Sequence, residues 1–455
     1  MDIQTRAKYP NTPFCLYYFM GFLDRLLGRD FKTVVLALDG LSYNFITDMY
    51  EKGEFKNLGS PGYRKMDSVY PTLSSVAWSS FMTGKNPGKH DVYGFTDRRS
   101  GDGRIQNTDF SALKARTLWD YLSGKKKKVF VMNVPMTYPP EKVNGKMVSG
   151  FSCRDLTKGT FPKEFASELY KLGYKIDVDS SLAFENLDKF LKDVHKTFDS
   201  RRKVMFHYLD EKWDFMMFHF MAPHRINHFM LGNHIDGGRY ADDFLSFYKK
   251  VDKMVGQVRR SLDEDDKLMI LSDHGFTRLE KQVQLNKWLM EEGYLEEVKD
   301  FTGISRDTKA YSLVPGRIYI NLEGREKNGG VSRNEYRQLR DELMEKLWNL
   351  RDPMSGREIV DKVFKREEIY SGSYVKNAPD LLVHPKDGYD LKGKFGKVDF
   401  VSRGLRNGMH SYDDAFVYSD PPIKGDNPSI LDLYPTILDM MKVKKPKDLD
   451  GKSLL

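Results

Sequence analysis

Aspartate and histidine residues recur at short spacings that suit metal binding. Ser272-Asp273-His274-Gly275 places a carboxylate beside an imidazole, which offers a hard oxygen ligand and a nitrogen ligand together. Asp39-Gly40 supplies a second carboxylate, although an aspartate in that context is as often a turn or helix-cap residue. His224 and His228 stand four residues apart, so on a helix both imidazoles would fall on one face and could share an ion. For each histidine taken alone, an interfacial packing role is favoured over metal binding.

Ser74 has the surroundings of a nucleophile. It follows Tyr70-Pro71-Thr72-Leu73 and precedes a helical pattern over Ser75–Met82. At a helix start, oriented N–H groups and the helix dipole favour a bound phosphate and a developing alkoxide. A serine at this place is also a common N-cap. Because a serine hydroxyl is too weakly acidic to attack unaided, the nucleophile interpretation requires a metal ion that lowers its pKa.

Four short apolar runs predict the strands that position these residues. They are Thr33–Leu38, Val129–Val134, Asp214–Met221 and Lys267–Leu271. Helical patterns such as Phe110–Leu122 and Tyr240–Leu262 separate them. This alternation predicts an α/β fold with a mostly parallel central sheet, flanked by helices on both faces. Ligands of such sheets bind at the carboxyl ends of the strands, so Asp39, His224 and Asp273 are expected at one rim.

Changes of pattern along the chain predict insertions into this core. The predicted organisation is an N-terminal extension with a short amphipathic helix (1–30), catalytic core (31–150), a cap insertion (151–205), core (206–284), a second cap insertion (285–395) and a return to the core (396–455). Met20 is an alternative start, and docking of the N-terminal helix on the core is favoured over anchoring at a membrane surface. The caps offer Arg154, Tyr174, Tyr311 and Tyr374 as candidates for contacts with a leaving group, and their spacing selects none of them.

Charge and cysteine content limit the classes of partner and compartment. The formal charge is +8 and the pI is near 9.0, which suits an anionic substrate. The basic residues are interspersed with acids, so no nucleic-acid partner is expected. Cys15 and Cys153 cannot build a disulfide framework, which favours a reducing compartment, the cytoplasm. No run approaches the roughly 20 apolar residues of a membrane span, and the oligomeric state stays open.

Several motifs, in order along the chain, resemble the type I phosphodiesterase/nucleotide pyrophosphatase family of the alkaline-phosphatase superfamily. The matching part begins near Phe31 and includes Val34–Gly40, Pro71–Gly84, Ser272–Gly275, Ala378-Pro379-Asp380, Gly408-Met409-His410 and Asp432–Leu438. Each segment is modest by itself, but their order along one chain is specific. The resemblance implies an alkaline-phosphatase-like core with inserted cap elements.

The resemblance also implies two divalent metal ions, usually zinc and sometimes manganese or iron. By resemblance, one ion is held by Asp39, Ser74, Asp273 and His274. The other falls on His228, His410 and the position of His224. In such a site Ser74 attacks a phosphate ester, and water then hydrolyses the phosphoseryl intermediate.

His224 departs from the family pattern, which has an aspartate at this position. A neutral imidazole can bind zinc and would complete a three-histidine site, although hard ions would fit worse. The alternatives are a weakened or absent second metal and a contact between His224 and the substrate. Ser74 stands where many members have threonine, and both are hydroxyl nucleophiles.

Hydrolysis of phosphodiester or nucleotide pyrophosphate bonds in a small substrate is the first function that these residues predict. Sulfatases are disfavoured because they require proline and arginine at the second and fourth positions after the nucleophile, where this chain has Val76 and Trp78. Phosphomonoesterase or phosphonate hydrolase activity is the second interpretation. A binding protein that keeps the fold with weakened catalysis is the third, and His224 alone supports it.

Overall fold

A computed structural model describes residues 31–98 and 104–455. The amphipathic helix predicted within residues 1–30 lies outside the described residues, as do Cys15 and the alternative start Met20. Across the two described ranges, no helix is both long and apolar enough to cross a membrane.

Strands and helices alternate along most of the chain. In chain order the strands are β1 (Thr33–Leu38), β2 (Arg64–Met66), β3 (Thr96–Arg98), β4 (Ile105–Asn107), β5 (Val129–Met132), β6 (Gly145–Val148), β7 (Thr160–Phe161), β8 (Phe215–Phe220), β9 (Lys267–Leu271), β10 (Gly275–Gln284), β11 (Ala310–Leu313), β12 (Arg317–Ile320), β13 (Val360–Lys365), β14 (Leu381–Pro385), β15 (Gly388–Lys392), β16 (Val401–Ser402), β17 (Gly408–Ser411) and β18 (Ala415–Asp420). The α-helices are α1 (Tyr43–Glu51), α2 (Ser74–Thr83), α3 (Pro87–His90), α4 (Leu118–Gly124), α5 (Leu156–Gly159), α6 (Phe165–Leu172), α7 (Leu182–Glu185), α8 (Leu187–Leu209), α9 (Ala222–Ile235), α10 (Ala241–Ser261), α11 (Leu285–Glu291), α12 (Tyr336–Trp348), α13 (Arg366–Ile369) and α14 (Leu433–Met440). Short 3-10 turns cover Phe110–Ala112, Phe301–Gly303, Val375–Asn377 and Ile430–Asp432.

Within residues 31–98 and 104–455, the main sheet has eight strands in the order β2-β18-β9-β1-β8-β5-β6-β7. Its centre is parallel, because β1 pairs with β9 and β8, and β5 pairs with β8 and β6, all in the same direction. Strands β18, β2 and β7 add antiparallel edges. The predicted strands correspond to β1, β5, β8 and β9, and the predicted fold class is confirmed.

Both faces of the sheet are covered, which explains why its central strands are almost entirely apolar. Side chains alternate between faces along a strand. In β1, Val34 and Leu36 therefore join the core under α1, α8, α9 and α10, whereas Val35 and Ala37 join the core under α2, α4 and α14.

Residues 151–205 pack closely on this sheet. Strand β7 extends its edge through pairing with β6, and Phe190, Val194 and Phe198 of α8 belong to the same apolar core as β1. The sequence predicted a cap in this stretch because its polar residues are frequent. The apolar side chains nevertheless recur at helical spacing, so one side of α8 covers the sheet.

Residues 285–395, called the 285–395 unit from here on, contain a second sheet and most of a second apolar core. Strands β11-β12-β14-β13 make a four-stranded sheet, and α11 and α12 pack with it around Leu289, Ile318 and Leu343. A further sheet joins β10 to β15, β16 and β17. The boundaries of core and caps stay a prediction.

The helix predicted over Phe110–Leu122 is shorter than expected. A 3-10 turn occupies Phe110–Ala112, and α4 begins only after Thr117, whose side chain accepts a hydrogen bond from the Asp120 N–H. This N-cap satisfies a free donor of the first turn and fixes the start of the helix there.

Candidate active site

The carboxyl ends of the central strands meet at one rim, as the sequence predicts. Asp39 directly follows β1, and Asp273 lies two residues beyond β9. His224 lies in the first turn of α9, which begins just after β8. Gly40 has φ +66°, and a Cβ there would lie 2.5 Å from the Phe276 ring. Only glycine therefore allows this tight turn, which packs against Phe276 of β10.

Asp39 is fully buried, and protein donors occupy both its oxygens. Its Oδ2 accepts a hydrogen bond from Trp78 Nε1 at 2.7 Å and lies 2.9 Å from His219 Nε2. Its Oδ1 accepts a hydrogen bond from Ser74 Oγ at 3.2 Å. Burial alone would raise the pKa of Asp39, but the hydrogen bond and charge of His219, together with His274, lower it. Asp39 is therefore held as a carboxylate with Oδ1 directed toward Ser74.

Asp273 has one oxygen that accepts a hydrogen bond and one, 3.4 Å from His274 Nε2, that accepts none from the described residues. Its Oδ1 accepts a hydrogen bond from the Gly40 N–H at 3.0 Å. Its Oδ2 is buried and makes no hydrogen bond among the described residues. Burial and the neighbouring Asp39 carboxylate raise the pKa of Asp273 well above its usual value. A carboxylate oxygen of Asp39 and one of Asp273 lie within 4.8 Å of each other. Two fully buried carboxylates at this distance destabilise the folded protein unless a cation lies between them.

Three histidines share one hydrogen-bonding pattern. The Nδ1 atoms of His274, His228 and His410 lie 2.9, 3.0 and 2.9 Å from the backbone oxygens of Gly275, Gly408 and Thr72. A carbonyl can only accept, so each Nδ1 carries the proton and each Nε2 keeps its lone pair. This is the tautomer in which a histidine binds metal through Nε2 while a neighbouring carbonyl fixes its ring.

His224 lies between these rings. Its Nε2 is 3.0 Å from His410 Nε2, and its Nδ1 is buried without a partner among the described residues. Burial and the neighbouring His228 and His410 lower the pKa of His224 well below its usual value, so the ring is neutral. The helix predicted from the i, i+4 spacing is present, and the His224 and His228 ring centroids are 4.5 Å apart.

Two groups of these side chains have the spacing of a metal site. In Asp39, Asp273 and His274, and likewise in His224, His274 and His410, one ligand atom from each residue lies within 4.8 Å of the others. His274 belongs to both groups, and His228 to neither. The unpartnered Asp273 Oδ2 and the free Nε2 lone pairs are the donors that a divalent cation needs, so the residues fit metal binding.

Ser74 is the first residue of α2, and the preceding Leu73 occupies the N-cap position. No side-chain capping bond is made there, so the N-cap interpretation of Ser74 is wrong. Its Oγ instead lies 3.2 Å from both Asp39 Oδ1 and His274 Nε2. The first N–H groups of a helix lack intrahelical partners, and α2 presents this end to the site.

A cavity of about 340 Å³ opens over Ser74 and the histidines. Val314, Leu382 and His384 of the 285–395 unit form part of its wall. Arg154, Tyr174, Tyr311 and Tyr374, the candidate leaving-group contacts, do not line it. Tyr174 and Tyr311 are buried elsewhere in the fold.

Sequence reasoning missed His219 and Trp78. Both contact Asp39 through hydrogen-bonding nitrogens and are completely buried. A signal for His219 was present, because it is the one imidazole within the otherwise apolar strand Phe215–Phe220. Trp78 has no comparable signal, since tryptophan is ordinary in a buried helix.

Comparison with protein-family models shows to which family the chain belongs. A family model described as type I phosphodiesterase / nucleotide pyrophosphatase matches residues 33–413. The chain belongs to this family. The match spans every candidate site residue from Asp39 to His410. No curated protein matches the chain significantly.

Solved structures support the fold of this phosphodiesterase family member. Phosphonoacetate hydrolase from Sinorhizobium meliloti has a TM-score of 0.60 at 14% identity, covering 91% of this chain and 96% of that one. Murine ectonucleotide pyrophosphatase/phosphodiesterase 5 has a TM-score of 0.54 at 14% identity, covering 92% and 97%. The alkaline phosphatase PafA has a TM-score of 0.58 at 12% identity, covering 93% and 98%. Family and fold together indicate a phosphoryl hydrolase of the alkaline-phosphatase superfamily.

Proposed function

We propose that this protein hydrolyses phosphodiester or nucleotide pyrophosphate bonds through a phosphoseryl intermediate on Ser74. The observation that carries the proposal is the position of Ser74 Oγ. It begins a helix at the cavity and lies 3.2 Å from Asp39 Oδ1 and 3.2 Å from His274 Nε2. A hydroxyl in that place is oriented by a carboxylate and faces the space where a phosphoryl group can bind.

Two divalent metal ions would complete the site, zinc first and manganese or iron as alternatives. One set of ligands is Asp39, Ser74, Asp273 and His274, and the other is His224, His228 and His410. When bound, such ions neutralise phosphoryl oxygens and lower the pKa of hydroxyl and water nucleophiles. The neutral histidines of the second set favour zinc over harder ions.

The side chains of this protein position the reaction. Asp39 accepts the Ser74 hydroxyl hydrogen bond, which aims Oγ into the cavity. Attack by Oγ forms an oxygen–phosphorus bond, and the bond from phosphorus to the leaving oxygen breaks. The Ser74 hydroxyl loses its proton, and the leaving oxygen gains one. Water then attacks the same phosphorus atom and breaks its bond to Ser74 Oγ, which releases the phosphoryl product, and a proton from the water restores the Ser74 hydroxyl. The unpaired N–H groups at the start of α2 favour the anionic phosphoryl group throughout.

The arrangement of the chain suits a small substrate. The unit formed by residues 285–395 closes one side of the cavity with Val314, Leu382 and His384, so it is proposed as a cap that selects the leaving or retained group. The cytoplasm is the proposed compartment, because Cys153 forms no disulfide with any described residue and the two cysteines of the chain cannot build a disulfide framework.

Metal analysis combined with a substrate panel tests this function. The purified protein should contain two metal equivalents and hydrolyse bis-p-nitrophenyl phosphate or a nucleotide pyrophosphate faster than p-nitrophenyl phosphate. Acid quenching during turnover, followed by peptide mass spectrometry, should find the phosphoryl group on Ser74.

Other outcomes assign another function. Faster turnover of p-nitrophenyl phosphate than of the diesters would identify a phosphomonoesterase. Turnover of phosphonoacetate alone would identify a phosphonate hydrolase. Absence of both metal and turnover would indicate a binding protein.

A further inference from the structure

Among the described residues, three cationic side chains line the cavity, and they differ in their partners. Arg225 Nη2 lies 2.5 Å from Asp177 Oδ2, and Lys392 Nζ lies 2.5 Å from Asp390 Oδ2. Arg406 has no hydrogen bond or ion pair with any residue in the described ranges, although it is partly buried. Its guanidinium instead lies over the Phe229 ring, 5.9 Å from the centroid.

The backbone beside Arg406 is firmly anchored. The Asn407 N–H donates to the His228 carbonyl at 2.9 Å, and the Asn407 side chain donates to the Phe229 carbonyl at 2.9 Å. The Gly232 N–H donates back to Asn407 Oδ1 at 3.0 Å. The backbone that carries Arg406 is thus held at the edge of α9, next to His228.

The positive charge of Arg406 favours binding of an anion on this side of the cavity. Burial and the proximity of Arg225 lower the pKa of Arg406 against the opposing effect of Asp390. Asp390 pairs with Lys392 and does not contact the Arg406 guanidinium directly. A partly desolvated guanidinium that no carboxylate contacts is unfavourable unless a ligand supplies the contact. Its planar donors suit a carboxylate or phosphate, which they can bind with two parallel hydrogen bonds.

We propose that Arg406 forms a subsite for a second anionic group of the substrate, a carboxylate or a phosphate, next to the phosphoryl group that reacts at Ser74. The subsite rests on the proposed function, because it places the reacting phosphoryl group at Ser74. Arg406 then acts as a specificity-determining residue, which favours substrates with two anionic groups over those with one. Val314, Leu382 and Met409 form an apolar wall of the cavity. In this proposal they contact the part of the substrate that joins the phosphoryl group to the second anionic group.

Binding of three stable phosphonates to the zinc-loaded protein tests this subsite without any need for turnover. Propylphosphonate has one anionic group, 3-phosphonopropionate adds a carboxylate, and ethane-1,2-diphosphonate adds a second phosphonate. Calorimetry should show that at least one doubly anionic compound binds about tenfold or more tightly than propylphosphonate, as expected for a charge-assisted hydrogen bond. Whichever compound binds more tightly identifies the second group as a carboxylate or a phosphate type.

Variants of Arg406 and a nearby control assign the effect to one side chain. Arg406→Gln should abolish the preference while changing propylphosphonate affinity by less than about twofold, because that compound has nothing for the subsite. Arg406→Lys should keep part of the preference, since it retains charge but loses the planar pair of donors. Arg403→Gln removes the same charge from an exposed residue outside the cavity and should change nothing. Circular dichroism should show the same folded spectrum for all variants.

Several results would overturn the subsite. These are no preference in the parent protein, an equal loss of all three compounds in Arg406→Gln, or the same loss in Arg403→Gln. Failure of the proposed function gives a different result, because then no ester is hydrolysed and propylphosphonate does not bind. If the diphosphonate still binds through Arg406 in that case, the anion subsite stands and only the reaction is withdrawn. Binding of none of the three compounds overturns both.

Discussion

His219 Nε2 lies 2.9 Å from Asp39 Oδ2, although the two residues are far apart in the sequence. They are neighbours because β1 and β8 pair in parallel, with Ala37 opposite His219. Trp78 Nε1 donates to the same carboxylate oxygen. Asp39 Oδ2 is thereby occupied, and Oδ1 is left facing Ser74.

Replacing His219 should weaken metal binding without unfolding the protein. His219→Phe keeps an aromatic ring but removes the contact to Asp39, so metal affinity should fall by about 10- to 100-fold. His219→Gln can still donate a hydrogen bond to the Asp39 carboxylate, so its metal affinity should fall less than that of His219→Phe. Competition with a chelator gives the affinities, and equal affinity in the parent and His219→Phe would show that Asp39 needs no such support.

Ser74→Ala should abolish turnover and leave most metal binding intact, since a nucleophile supplies reactivity and only one of several metal contacts. Ser75→Ala is the matched control. Ser75 is the next residue of α2, and its Oγ is buried without a hydrogen bond among the described residues. Steady-state rates and metal content should be measured for both. Activity in Ser74→Ala would mean that another hydroxyl or water attacks directly.

Asp273→Asn should reduce metal affinity and turnover together. An amide is a poorer ligand than a carboxylate and removes negative charge from the site, so the loss should exceed about 100-fold. Asp210→Asn, at the exposed end of α8, makes the same chemical change away from the site. Metal titration of both variants checks the prediction, and an unchanged affinity in Asp273→Asn would remove Asp273 from the ligand set.

His224→Asp should keep two metals and shift the preference from zinc toward manganese. The change restores the carboxylate of the family pattern, and oxygen ligands suit harder ions. His207→Asp, on the exposed side of α8, controls for the added charge. Metal counts for the parent and both variants are the measurement. One metal in the parent and two in His224→Asp would refute a three-histidine site.

Asp380 should hold the 285–395 unit together. Its Oδ1 accepts from Arg325 Nη1 at 2.8 Å and Arg366 Nη1 at 3.2 Å, and its Oδ2 accepts from the Ile320 N–H at 2.7 Å. Asp380→Asn should lower the free energy of unfolding by about 3 kcal/mol, because it removes the buried charge that pairs with the half-buried Arg325 and Arg366. Among the described residues, these two arginines then keep only Glu326 and Glu367 as acidic partners. Glu358→Gln breaks exposed ion pairs and should have no measurable effect.

The same carboxylate should contribute to acid sensitivity. Burial alone would raise the pKa of Asp380, but Arg325 and Arg366 outweigh it and lower the pKa from 3.8 to about 2. Between these values the unfolded carboxyl binds protons that the folded one does not, so this stabilisation is complete above pH 3.8 and is lost as the pH falls toward 2. Thermal melts of the metal-free parent and Asp380→Asn should therefore converge at low pH. A constant difference across this range would contradict the assignment.

The sequence by itself determined the central strands and much of the rim. Thr33–Leu38 and Lys267–Leu271 are strands with the predicted bounds, because buried parallel strands are continuous apolar runs that stop at polar residues. The i, i+4 spacing of His224 and His228 likewise required only the local geometry of a helix. Such features depend on neighbours in sequence, and a local pattern can reveal them.

Only the tertiary structure decided which distant residues meet. His410 reaches the site because β17 pairs with β10, with Phe276 opposite His410, and His219 reaches Asp39 through the pairing of β1 with β8. The tertiary structure also shows which cavity cations have partners. Arg225 pairs with Asp177 and Lys392 pairs with Asp390, whereas no carboxylate in the described ranges pairs with Arg406. Strand register and side-chain packing are set by contacts across the whole core, so no local pattern in the sequence contains them.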